Sequence, residues 1–131
     1  MKRILLFLTI ATLITGNTFA ESKLKVVTAT EDPASITREI GGDRVDVTSI
    51  GRGYQDPHFI EPKPSFLLLL KNADLLEVVG LELEIGWLPP LLDQSRNSNI
   101  LVGQKGYLDL SQGVEILERP GSSINRSMGR R

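Results

Sequence analysis

The chain has 131 residues, with 15 Lys and Arg against 16 Asp and Glu, no cysteine and one histidine. A near-neutral balance, with no run of Lys and Arg among aromatics, gives no electrostatic case for binding nucleic acid. The missing thiols exclude zinc fingers, iron–sulfur centres and cysteine nucleophiles, and leave His58 as the only imidazole available to any site.

Residues 1–20 have the layout of a cleavable secretory signal. Lys2 and Arg3 supply the positive start, residues 4–14 a short apolar run, and Thr18 and Ala20 the small residues that a signal peptidase reads. Cleavage is expected after Ala20. The apolar run is about half of the roughly 20 residues that a membrane span needs, so it predicts export and not an anchor. Residues 21–131 then form one domain's worth of chain. Without disulfides, that domain must be held by its core, by a ligand or by another chain.

Residues 23–30 (KLKVVTAT) are β-rich and apolar at their centre, as a strand inside a covered sheet is. Asp32 is expected to cap the following helix, with Pro33 in its first turn, Ile36 and Ile40 on one face, and Gly41-Gly42 ending it. Residues 44–50 (RVDVTSI) read as a second strand, which closes a unit long enough for a right-handed parallel crossover. Residues 51–64 (GRGYQDPHFIEPKP) are a loop stiffened by Pro57, Pro62 and Pro64.

Pro64 is expected to start a helix over residues 65–72, with residues 67–70 buried, and residues 75–80 (LLEVVG) to form a third strand. Beyond these, Pro89-Pro90 reads as a helix-breaking pair, residues 93–99 as polar and exposed, residues 114–117 as a short fourth strand, and the stretch from Arg119 onward as loop. The fold class is therefore α/β: a parallel sheet of about four strands with flanking helices, and loops at one edge for a site.

His58 follows a strand end and stands between Asp56 and Glu61. Imidazole there suits zinc or manganese, with Asp56 or Glu61 as a further ligand or as the acceptor that orients the ring. Zinc takes three or four protein ligands, so the residues alone favour an ordinary surface or packing histidine over a metal ligand. Enzyme readings fare worse. A hydrolase built on His58 and Asp56 lacks the G-x-S-x-G elbow, and Glu82 and Glu84, two apart, would point to opposite sides of a strand. Asp43, Glu77 and Glu82 read as solvated carboxylates. Trp87 reads as packing in the core or at a lobe interface, and Tyr54 either as loop packing or as part of a site's mouth.

Four ordered segments, REIGGDRVDV, QDPHFIEPKPS, NADLLEVVGLELEIGWLPPLL and GYLDLSQGVEILERP, resemble the N-terminal lobe of the metal-binding components of zinc and manganese ABC importers. The resemblance implies a non-enzymatic, periplasmic binding protein of two parallel α/β lobes joined by a long helix. Divalent metal, Zn or Mn, is then held between the lobes by histidines and carboxylates, and an inner-membrane ABC permease is the partner. It places the family's first metal ligand on His58. In similar proteins the stretch corresponding to residues 123–131 runs on to the second ligand and the second lobe. Residues 21–131 are accordingly expected to be a truncated N-terminal lobe that keeps the first ligand without high-affinity metal capture of its own; a second expectation is that a second lobe or a homodimer restores the ligands. The alternative is a metal-independent exported interaction module or a non-functional fragment.

Overall fold

The computed structural model describes residues 22–116, so the signal reading and the loop reading from Arg119 lie outside the described residues. The elements are β1 (Leu24–Thr28), α1 (Glu31–Gly41), β2 (Val45–Ser49), α2 (Pro64–Lys71), β3 (Leu75–Val78), α3 (Leu88–Ser95) and β4 (Tyr107–Asp109). Two 3₁₀ turns, Gly42–Arg44 and Ser98–Ile100, lead into β2 and follow α3.

The four strands form one parallel sheet in the order β2-β1-β3-β4. Val26 pairs with Val47 on one side and Leu75 on the other, and Leu76 pairs with Tyr107. The chain moves outward from β1 to β2, then returns across β1 to β3 and continues to β4. The order thus reverses between β1 and β3. In open parallel sheets the crevice beyond the carboxyl ends of such a pair is where ligands bind.

Burial follows from strand position. The central strands are covered on both faces, and Val26, Val27, Leu76 and Val78 are buried. The core continues through Leu70, Trp87, Leu88, Leu91, Leu92 and Ile100. At the other edge, β2 is half-buried at best, and Ile36 and Ile40 on α1 are 61% and 74% exposed.

Several expectations need correction. Thr30, not Asp32, precedes α1, and Asp32 lies inside the first turn beside Glu31, where acidic side chains complement the helix dipole. Pro89-Pro90 does not break a helix but opens α3, at positions whose N–H groups have no partner within the helix. Of residues 67–70 only Leu70 is buried, and Leu68 is exposed. The fourth strand is Tyr107–Asp109; residues 114–116 form none, because the ladder beside β3 is already filled by Tyr107, Leu108 and Asp109.

Residues 93–99 are polar and mostly exposed, as expected, but Ser95 is buried and Asn97 is half-buried. Asn97 donates its side-chain N–H groups to the carbonyls of Leu70 and Ala73, 2.8 Å each. It thereby ties together two carbonyls where the chain leaves α2 for β3. Asn99 donates in the same way to the Asp74 carbonyl at 2.8 Å.

Candidate functional site

The His58 loop runs from β2 across the carboxyl edge of the sheet. Its start is tied to β1, as the Ile50 N–H donates to the Thr28 carbonyl and the Gly51 N–H to the Ala29 carbonyl, both at 2.9 Å. Its far end is pinned by Ile60, buried in the core. Residues between these anchors reach solvent, so His58 is presented at the strand-order reversal on a loop fixed at both ends.

Local hydrogen bonds set the ring. Asp56 Oδ1 accepts both the His58 backbone N–H at 2.9 Å and His58 Nδ1 at 2.8 Å, and the Phe59 N–H donates to the Asp56 carbonyl at 3.0 Å. The His58 backbone N–H, and secondarily the ring, hold the Asp56 carboxyl below its ordinary value of 3.8, so at neutral pH it is an anion that can only accept. Nδ1 therefore carries the proton and donates. The lone pair is left on Nε2, the arrangement in which a carboxylate orients a metal-binding imidazole. Both side chains are about half exposed.

The loop is also held from the opposite side of the reversal. Trp87, buried in the core, donates Nε1–H to the Pro57 carbonyl at 2.8 Å. A Cβ placed on Gly86 would stand 2.9 Å from the His58 carbonyl oxygen, so the two backbones approach more closely there than any side chain permits. Trp87 is thus core packing, as expected, and in addition a clamp on the residue before His58.

Tyr54 is 79% exposed and accepts from Arg52 Nη1 of the same loop at 3.1 Å. Glu61 is exposed, and Asp56 rather than Glu61 meets the His58 ring. Glu77, expected to be solvated, is buried under α1 and accepts from Thr37 Oγ1 at 2.8 Å. Glu82 and Glu84 lie on turns and not on a strand, with Glu82 exposed and Glu84 buried. Glu84 accepts from the Val79 N–H at 2.8 Å and, more weakly, from the Gly80 N–H at 3.4 Å. Burial pushes its carboxyl above the ordinary value of 4.5, with the Asp109 charge adding to the rise, although the backbone donors oppose it.

Two hollows flank these groups. One, about 160 Å³, lies under the His58 loop beside Thr30, Arg52, Gln55 and Pro57. The other, about 640 Å³, opens between α3 and β4 and is lined by Leu81, Glu84, Leu88, Leu92, Tyr107 and Asp109; His58 does not reach it. Among the described residues, no three His, Asp or Glu side chains converge as a metal-holding group.

A sequence profile of the family described as zinc-uptake complex component A, periplasmic, matches residues 26–126. The iron ABC transporter substrate-binding lipoprotein MtsA of Streptococcus pyogenes serotype M1 is 35% identical over 121 residues, which cover 89% of this chain and 38% of that protein. The manganese ABC transporter substrate-binding lipoprotein PsaA of Streptococcus pneumoniae is 37% identical over 112 residues, 83% of this chain and 35% of that one. A crystal structure of a ZnuA deletion mutant with zinc bound superposes with a TM-score of 0.60 at 30% identity, covering 76% of this chain and 36% of that one. The chain therefore spans less than half the length of the relatives it matches, with the fold of one part of them.

Proposed function

The chain belongs to the family of periplasmic zinc-uptake component A proteins, and on that premise we propose that it serves a divalent-metal ABC importer as a solute-binding component, with His58 as a metal ligand. The single observation that carries this is the His58 ring itself: Nδ1 is engaged by Asp56 at 2.8 Å, and Nε2 is left to a metal. The placement of the loop at the reversal between β1 and β3 supports it.

The metal is a divalent ion, zinc or manganese, with iron as the alternative that the relatives add. Imidazole accepts either, and relatives whose names specify manganese and iron match as well as the zinc-bound structure does, so selection rests on the remaining ligands. Those ligands come from outside the described residues, because one histidine cannot fill a coordination shell that needs three or four protein donors. A second copy of the chain or a second lobe supplies them. The compartment is the periplasm, reached through the signal over residues 1–20 with cleavage after Ala20, and the partner is the importer's membrane permease.

Calorimetry with Zn²⁺ tests the reading, with sedimentation run in parallel. Binding that disappears in His58→Ala supports it, and a mass that doubles with metal identifies a second copy as the source of ligands. Affinity unchanged by His58→Ala would refute it.

A further inference from the structure

The geometry points to Glu84 as a positioning residue for His58: its buried carboxylate pins the left-handed turn that lays Gly86 and Trp87 against the His58 loop. The inference rests on reading His58 as a metal ligand, and adds to that reading a group that touches neither His58 nor any metal.

The turn begins where β3 ends. Gly80, Leu81 and Glu82 have φ of 88°, 52° and 65°, three successive residues in the left-handed region, two of them with side chains. Such backbone is disfavoured for L-residues because Cβ crowds the following carbonyl, and it persists only where the surroundings determine it. Glu84 supplies that determination. Its carboxylate reaches back to the Val79 and Gly80 N–H groups, which closes the turn on itself. Asp109 and Ser111 close it from the other side, since a Cβ on Gly80 would collide with both their side chains.

From there the chain is a short ladder of turns. The Leu83 N–H donates to the Gly80 carbonyl, the Ile85 N–H to Glu82, and the Trp87 and Leu88 N–H groups to Glu84 itself, at 3.0 to 3.2 Å. Glu84 therefore fixes the turn with its side chain and starts α3 with its carbonyl. The positions of Gly86 and Trp87 follow, and through them the chain lies close against the His58 carbonyl, where a Cβ would not fit, and bonds the Pro57 carbonyl at 2.8 Å. Loosening the carboxylate frees this ladder at its root, while the Asp56–His58 turn keeps its own bonds.

The test compares Glu84→Ala, Glu84→Gln and Glu84→Asp with Asn97→Ala in the purified protein. Asn97 holds the carbonyls of Leu70 and Ala73, which precede β3 at the opposite edge of the sheet from His58, so its loss costs stability without touching the loop. Zn²⁺ affinity is one readout. The other needs no metal: acrylamide quenching of Trp87, the chain's single tryptophan, with the His58 ring NMR signals. Glu84→Ala should weaken zinc binding about tenfold, the scale of a lost supporting contact around a metal ligand. It should also expose Trp87 and shift the His58 signals. Glu84→Gln, which retains an acceptor for the Val79 N–H, should restore most of both, and Asn97→Ala should leave both unchanged.

If the alanine variant does not fold, Glu84→Asp, whose shorter carboxylate retreats from Val79, decides by the same readouts. Unchanged Trp87 quenching and His58 signals in the Glu84 variants, or equal loss of zinc affinity in Glu84→Ala and Asn97→Ala, would overturn the inference. If His58→Ala leaves zinc binding intact, the reading of His58 as a ligand fails instead, and the metal-free readouts still decide whether Glu84 positions the loop.

Discussion

The two sides of the sheet are built differently. On the β1–α1–β2 side, the edge strand is half-buried and α1 turns Ile36 and Ile40 to solvent, so few large side chains are committed there. On the β3–α3–β4 side, Leu76, Trp87, Leu88, Leu91, Leu92 and Ile100 close around one another. The His58 loop leaves from the sparse side, yet Trp87 of the dense side grips it at Pro57. A candidate ligand on an irregular loop is thus anchored to the most densely buried part of the molecule. Loops that carry function need such a scaffold.

The largest expected effect follows from removing the grip. Trp87→Ala should lower unfolding free energy by about 3–5 kcal/mol, the usual cost of deleting a buried aromatic. Denaturant unfolding would measure it, and a loss below about 1 kcal/mol would break the contrast between the two sides. Trp87→Phe separates packing from the hydrogen bond. It should cost less, on the order of 1–2 kcal/mol, with the Pro57 carbonyl left to find water.

A pH effect comes next. The folded-state pKa of Glu84 is raised above its ordinary 4.5, chiefly by burial. Below 4.5 the carboxyl is protonated in both states and imposes no cost. As pH rises through 4.5 toward the raised value, the unfolded chain ionises first, so stability falls. Glu84→Gln should remove that fall, giving a flatter stability profile from pH 4.5 upward than the native chain. An identical slope in both would show that Glu84 is not held as described.

The smallest effect belongs to the sparse side. Ile40→Ser should change stability by no more than about 0.5 kcal/mol, because a residue 74% exposed loses little on truncation. A larger loss would mean that this face of α1 is covered in solution.

These differences mark what could be read from the residues. Lys25-Val26-Val27-Thr28 and Leu75-Leu76-Glu77-Val78 announce covered parallel strands because apolar runs bounded by turn residues have few other uses. Pro64 announces the start of α2, and Gly42, at φ 52°, the end of α1. His58 stands out as the only imidazole, with Asp56 and Glu61 as the two candidates beside it. The remainder depended on contacts distant in sequence. Glu77 looks like any carboxylate until Thr37, forty residues earlier, is brought over it. The Trp87 clamp on Pro57 spans thirty positions. Glu84 acts within five residues, but no local pattern announces two consecutive left-handed non-glycine residues, since propensity opposes them. Tyr107–Asp109 is a strand because it pairs with β3, whereas residues 114–116, of comparable extended propensity, pair with no strand.

The central claim is that His58 binds metal through Nε2 while Asp56 holds Nδ1–H, and nitrogen NMR of the His58 ring during Zn²⁺ titration tests it most directly. Nε2 should shift on metal addition while the Nδ1 proton stays bonded to Asp56. A ring unperturbed at zinc concentrations that saturate binding, or a metal seated on Nδ1 with the Asp56 bond broken, would contradict it.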